Sequence, residues 1–280
     1  MTNPFFTVDV EESFHAAAVE PFVPRTRWAA EPARVERGVG RLLELLARHN
    51  QKGTFFTLGI VAERTPEVVR QIAEAGHEVA SHGWSHRSVT RLSPAEFREE
   101  VARSRDALSQ LSGKPVLGYR APNFSITPDR AWAFDILLEE GYVYDSSVFP
   151  ARRSGTGFTP VVQQLRRASG ALLEIPMTAA RVGSLRVPAG GGAWFRLLPY
   201  GLTQLALKQA AARSQPGVFY IHPWELDPEQ PRMSLDVKTR IRHYGGIGTV
   251  VSRLDRLLRE FSFTSIESWL KTAAANGAHA

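Results

Sequence analysis

The chain has no cysteine, which excludes disulfides, thiolate metal sites and cysteine nucleophiles together. Any transition-metal site must therefore be built from His, Asp or Glu. No apolar run approaches the roughly eighteen residues that a membrane-spanning helix needs. The opening residues Met1-Thr2-Asn3-Pro4-Phe5-Phe6 lack a basic stretch followed by a signal-length apolar one. Val8-Asp9-Val10-Glu11-Glu12 then puts acid where a secretion signal needs hydrocarbon. The expected location is cytoplasmic, with peripheral contact at the inner membrane face as an option. Dense Lys/Arg blocks interleaved with aromatics are also missing, so no nucleic-acid partner is expected. The formal charge of +6 comes mainly from arginines scattered over helical segments. Solubility accounts for it, and a surface that attracts an anionic polymer or membrane is the sharper reading. Internal repeats and low-complexity linkers are absent, so residues 1–280 read as a single domain.

What is present is an alternation of short apolar runs with amphipathic stretches. Phe5-Phe6-Thr7-Val8-Asp9 and Gly53 to Gly59 read as strands. Val35 to His49 carries Val39, Leu42, Leu43 and Leu46 at helical spacing. Pro66 opens a helix that Gly76 stops. Ser93-Pro94-Ala95-Glu96 has the spacing of a capping box with proline at the first helical position. Strands are expected at Glu78–Ser81, Val116–Tyr119, Tyr142–Asp145, Leu172–Met177 and Gly217–His222. Helices are expected at about Pro128 to Glu140, at Leu197 to Ala212, and after Gly245-Gly246-Ile247-Gly248. Gly190-Gly191-Gly192 marks a flexible or closely packed turn. Strand–helix alternation of this kind predicts an α/β fold with a mainly parallel sheet, open or closed into a barrel.

Four polar clusters follow strand candidates, and in α/β barrels the strand C-termini converge on one face. In Asp9-Val10-Glu11, alternate residues share a side, so both carboxylates can reach one mouth and serve as general base and metal ligand. The plainer reading is a solvated acidic turn. In His82-Gly83-Trp84-Ser85-His86, two histidines four apart lie on one face of a helical turn and can bind one ion, for which imidazole suits zinc. Unrelated surface histidines are the alternative. Arg120, before Ala121-Pro122-Asn123-Phe124, can pair with a buried carboxylate and keep it ionised, or be a surface residue before a turn. His222 ends an apolar strand ahead of Pro223-Trp224. It is either a satisfied core histidine or a general acid with a pKa near the working pH.

In this order the clusters resemble the NodB-homology polysaccharide deacetylases, carbohydrate esterase family 4. The resemblance runs from about Phe5 to Trp224 and is nearest the branch whose first motif reads D-x-D or D-x-E. Beyond that motif set, Gly190-Gly191-Gly192-Ala193-Trp194-Phe195-Arg196-Leu197-Leu198-Pro199-Tyr200 and Arg242-His243-Tyr244 look like the extension of deacetylases associated with exopolysaccharide and exosortase loci. The resemblance implies a distorted (β/α)7-type barrel over about residues 5–224, with residues 225–280 as a C-terminal extension packed on it. It implies Asp9 as catalytic base, Arg120 as the arginine that steers it and His222 as general acid. His82 and His86 match the metal ligands, although Gly83 stands where Ser or Thr is usual. Asp145-Ser146-Ser147 matches a motif that shapes the pocket. Val10 replaces the usual aspartate ligand, so Glu11 takes that position. A long-armed ligand, a weak metal site and a two-histidine site are the alternatives.

The implied cofactor is one divalent ion, Zn2+ by preference, and the implied substrate a polysaccharide or oligosaccharide bearing N-acetyl groups. Trp84, Phe124, Trp194 and Trp224 sit near motif positions and could line a sugar cleft; core packing is the other reading of each. Pro122 and Asn123 place a backbone N–H where an oxyanion could form. His15 and His243 could touch the substrate, although a surface or structural role is the plainer reading of both, and His49, His77 and His279 lack a motif. Two rivals share the pattern: a hydrolase of a small cyclic amide, allantoinase-like, and a non-catalytic carbohydrate-binding barrel.

Overall fold

A computed structural model of the chain describes residues 2–149, 161–167 and 169–275; His279 lies outside them. Ten strands are described: β1 Phe5–Val10, β2 Thr54–Thr57, β3 Glu78–Ser81, β4 Gly118–Tyr119, β5 Tyr144–Asp145, β6 Gln163–Arg167, β7 Gly170–Glu174, β8 Ala179–Val182, β9 Leu185–Pro188 and β10 Val218–Ile221. Eight form one sheet in the order β10-β1-β2-β3-β4-β5-β7-β6, and β8 pairs with β9 as a separate hairpin. Seven strands run parallel; β6 lies antiparallel along β7 at the edge. The sheet curls into a half-barrel and β10 does not pair with β6, so the seven parallel strands expected of the barrel are there and the ring is open.

Helices α1 Val35–Arg48, α2 Gly59–Arg64, α3 Pro66–Glu74, α4 Pro94–Ser112 and α5 Trp132–Glu139 connect the parallel strands. Further along come α6 Gly192–Leu197, α7 Tyr200–Ala212, α8 Val237–Tyr244, α9 Val250–Glu260 and α10 Ile266–Ala275. The α4 start is the expected capping box. The Ser93 backbone N–H donates to Glu96 Oε2 at 2.8 Å, and Ser93 Oγ accepts from the Glu96 N–H. The helix expected from Leu197 to Ala212 is α7, which begins only at Tyr200 because Pro199 caps it; the short α6 precedes it. The β8–β9 hairpin has no counterpart in the sequence reading.

Period-two alternation sorts β1 between two cores. Phe6, Val8 and Val10 face the layer of α1 and its neighbours, which includes Val39, Leu42 and Leu46. Phe5 faces inside the curl, with Phe56, Ala80, Tyr144, Tyr220 and Ile266. Thr7, Asp9 and Glu11 continue on that inner side and reach its C-terminal mouth.

Helix α10 plugs the opposite end. The Ile266 N–H donates to Thr54 Oγ1 at 2.9 Å and the Glu267 N–H to Glu78 Oε2 at 2.8 Å, so strand side chains cap this helix. Tyr144 Oη also donates to Glu78 Oε1 at 2.7 Å. Burial dominates at Glu78 and lifts its pKa to about 7, against the opposing pull of these hydrogen bonds. The unfolded chain releases this proton at lower pH than the folded one. Its stabilising effect is therefore full below the unfolded value of 4.5 and is lost as pH rises through about 7, a swing of ~3 kcal/mol. Replacing Glu78 with Gln should flatten that part of the stability profile. Thermal melts between about pH 5 and 8 check this; an unchanged slope would assign the titration to other groups.

Candidate active site

Above the inner core, the strand ends open on a cavity of about 590 Å³ lined by Asp9, Glu11, His82, His86, Asn123, Phe124, Trp194, Tyr220, His222 and Trp224, among others. This is the size of an ordinary small-ligand pocket.

At its floor, Glu11, His82 and His86 bring one ligand atom each to within 4.8 Å of one another, all three buried. The histidines do not sit on a helical turn. His82 continues extended from β3, Gly83 reverses the chain at φ 78°, and His86 itself is left-handed at φ 58°. The positive φ at position 83 suits glycine, which adopts it without strain. The loop is gripped from two sides. Glu100 on α4 accepts from the backbone N–H groups of Trp84 (2.9 Å) and Ser85 (2.8 Å), while Arg25 donates to the carbonyls of Ser85 and His86.

The protonation states suit a cation. His82 Nδ1 lies 2.8 Å from the Arg120 carbonyl, which can only accept, so the proton is on Nδ1 and Nε2 presents its lone pair to the cavity. Burial holds its pKa down at about 4, so the ring is neutral. Burial alone would raise Glu11, but His86, His222 and His82 outweigh it and keep the carboxylate ionised far below the usual range. Glu11 Oε1 accepts from Trp224 Nε1 at 3.3 Å. Oε2 has no hydrogen-bond partner; it faces His86 Nε2 at 2.8 Å without hydrogen-bond alignment. An orphaned, buried, ionised oxygen converging with two imidazoles fits a divalent ion, for which ligands must be deprotonated. The donor set fits zinc.

Beside it, Asp9 Oδ1 accepts from Arg120 Nη1 at 2.7 Å. Arg120 is fully buried; it also donates to Thr7 Oγ1 (2.8 Å), Ser146 Oγ (3.0 Å) and the Ser146 carbonyl (3.1 Å), and lies over the Phe56 ring. Every direction of the guanidinium is fixed, so Asp9 is held with Oδ2 toward His222, whose Nε2 is 4.0 Å away.

His222 projects from the end of β10, and Glu225, three residues on, accepts from both its Nδ1 (2.9 Å) and its backbone N–H (3.0 Å). Burial would lower the His222 pKa; Glu225, Glu11 and Asp9 overcome that and raise it to about 9. Glu225 is held in turn by the buried Arg196 of α6, which also donates to the carbonyls of Arg242 and Gly245. The Arg196–Glu225–His222 relay was missed in the sequence. The H-P-x-E spacing is a cap-like signal for Glu225, but Arg196 lies 29 residues away with no local pattern to mark it.

Other expected residues divide. Asn123, Phe124 and Trp194 line the cavity, and Trp194 is 41% exposed. Trp224 lines it too, but its ring stacks with those of His222 and His243 and its N–H holds Glu11. It orients the site rather than offering a free sugar platform. Trp84, Pro122, Asp145 and Ser146 do not reach the cavity. Trp84 lies beneath the Arg103 guanidinium and close against Gly59. Pro122 is buried and begins the turn that sets Asn123 and Phe124 in left-handed conformations, φ 60° and 51°. Ser146 is spent on Arg120 and the Ile175 carbonyl. Asp145 accepts from Ser147, and burial raises the pKa of both it and the neighbouring Glu174. These two act behind the site, on its arginine. His243 lines the cavity, and burial keeps it neutral with a pKa of about 4. His15 is buried behind His86, where its Nδ1 accepts from the Glu12 N–H. His49 pairs with Asp255, and His77 accepts from the Gly53 N–H.

Residues 32–135 match the family model described as polysaccharide deacetylase. Those residues, 104 of the chain's 280, carry a polysaccharide deacetylase domain. Residues 146–271 match a second model, a domain of unknown function (DUF3473), so His222, Glu225 and Arg196 fall in that part. A peptidoglycan deacetylase of Helicobacter pylori is 31% identical over 118 residues, which is 40% of this chain and 38% of that protein. The chain spans roughly a third of the length of the curated relatives it matches. The fold resembles that of a Mycobacterium smegmatis protein proposed to be a polysaccharide deacetylase, with TM-score 0.65, 21% identity and coverage of 98% of this chain and 92% of that one. It also resembles PuuE allantoinase, with TM-score 0.63, 16% identity, and 99% and 91% coverage. These two likenesses show the fold alone. No helix among the described residues is long and apolar enough to cross a membrane.

Proposed function

We propose that this chain is a metal-dependent hydrolase that removes acetyl groups from N-acetylhexosamine units of a polysaccharide, and that residues 1–280 act as one domain with residues 225–280 packed on the barrel. The observation that carries the reading is the orphaned Glu11 Oε2 facing two buried imidazoles next to an Arg-tethered aspartate. Glu11, His82 and His86 would hold the ion, zinc by preference. Such an ion supplies Lewis-acid polarisation of the acetyl carbonyl and lowers the pKa of water.

The chain's own groups account for the proton movements. Asp9 Oδ2 takes a proton from the attacking water, and Arg120 keeps Asp9 ionised and aimed. The Asn123 N–H at the cavity wall is the proposed donor to the developing oxyanion. His222 Nε2 delivers a proton to the departing amine, with its Nδ1 proton committed to Glu225. An amide requires this acid because an unprotonated amine anion leaves poorly. Trp194 offers a partly exposed ring face for a sugar.

The test joins metal content to acetate release from N-acetylglucosamine oligomers, with and without added zinc. Metal near one per chain, lost along with activity in His82→Ala, is the expected result. A metal-free protein that stays silent with zinc would overturn the reading and favour the cyclic-amide hydrolase.

A further inference from the structure

Eight large apolar residues stand exposed among the described residues, and six fall between positions 182 and 241: Val182, Leu185, Trp194, Leu197, Val237 and Ile241. Scattered singly these would mean nothing, but Trp194, Leu197, Val237 and Ile241 stand on α6 and α8, and both helices contribute residues to the cavity wall. Val237 (62% exposed) and Ile241 (58%) lie one turn apart on α8 and so share a face. The only fully buried side chain of α8 is His243, which lines the cavity. This short helix is anchored by an imidazole and turns its aliphatic residues to water, the inverse of an ordinary surface helix. Leu197 of α6 packs beside the end of α8, near Gly245, and Trp194 is one turn before it.

The charge around these residues is mostly positive. Residues 179–244 hold nine Lys and Arg against four Asp and Glu, which gives net +5 of the chain's +6. Lys238, Arg240 and Arg242 have no ion-pair partner among the described residues, and all are exposed. On the hairpin, exposed Val182 pairs with Leu185 and, on the opposite face, Arg181 stands directly opposite Arg186. Like charges in that register oppose each other unless an anion lies between them.

We infer that this face docks on an anionic lipid surface and points the cavity mouth at it. Exposed aliphatics among unpaired cations match the interfacial region of such a membrane, where apolar side chains enter the acyl boundary and cations meet the headgroups. An anionic glycan would satisfy the arginines but leave Val237, Ile241 and Leu185 in water. A second copy would set like charges against each other. The docking stands apart from the deacetylase reading; combined with it, it makes the substrate a glycan held at that surface.

Co-sedimentation of the full chain with vesicles of phosphatidylglycerol and phosphatidylcholine tests the inference, with pure phosphatidylcholine as comparison. Binding is expected to the anionic vesicles only and to weaken with salt. Val237→Ser/Ile241→Ser and, separately, Lys238→Glu/Arg240→Glu should each lower it by about tenfold or more. Both should keep the wild-type melting temperature and acetate release from soluble oligomers. No binding to anionic vesicles, or binding as tight as wild type by either variant, overturns the inference. So does a concentration-dependent dimer in light scattering that Val237→Ser/Ile241→Ser abolishes, which would assign the face to a second copy. Vesicle binding needs no catalysis, so its failure is separable from a failure of the deacetylase reading.

Discussion

Asp9→Asn is expected to lower acetate release from N-acetylglucosamine oligomers by about 10²- to 10⁴-fold while metal content stays near wild type. The asparagine oxygen can keep the 2.7 Å bond from Arg120, so the side chain stays in place, but no basic oxygen then faces the cavity. Metal content separates this from a ligand defect, because Glu11, His82 and His86 are untouched. Loss of metal in the variant would mean that Asp9 is itself a ligand. The acid side of the reaction has its own signature. His222→Ala should cost more on an amide than on an activated acetate ester, whose leaving group needs no proton. Equal losses would remove His222 from that role.

Arg196→Met is expected to give the largest stability loss of any single change around the site, ~3–5 kcal/mol. Arg196 and Glu225 are both fully buried, and removing the cation strands a carboxylate that is held ionised. Burial raises the Glu225 pKa, but Arg196 and His222 bring it down to about 2. For a chain of this size the melting temperature should fall by roughly 10 °C. Activity should fall as well, since Glu225 would no longer fix the His222 ring. The double change Arg196→Met/Glu225→Gln should recover part of the stability, because no lone charge remains buried. A double variant no better than the single one would place the loss in packing of α6 rather than in charge.

These predictions mix what was legible in the sequence with what was not. Asp9, Glu11, His82, His86, Arg120 and His222 could be singled out together because each stands at or just past a strand end, and a parallel sheet gathers its strand ends on one side. His82 and His86 do come together, but a glycine turn rather than a helical one does it. Asp145 and Ser146 were placed in the pocket by motif position. Which way a strand-end side chain points depends on register, and here it points to Arg120 and the neighbouring strand. The β8–β9 hairpin escaped because Ala179 to Pro188 has no strong alternation and two exposed apolar residues. Arg196 escaped because its partner is brought near only by the fold.

The sheet order also bears on how this chain could be divided. β1, which carries Asp9, lies between β2 from the first family match and β10 from the second. The outer edge of β10 is covered in turn: Gly191 bridges Tyr220, and the Tyr220 N–H donates to the Gly190 carbonyl at 2.8 Å. A Cβ at position 191 would come within 1.8 Å of the Tyr220 carbonyl oxygen, so this cover depends on glycine. A truncation after residue 145 would strip β1 of its neighbour and expose a row of unpaired N–H and C=O groups along the strand that bears the base. Such a fragment would be prone to strand-to-strand aggregation as well as inactive. The boundary between the two matched families is thus a seam in sequence space with no matching cut line in the folded chain.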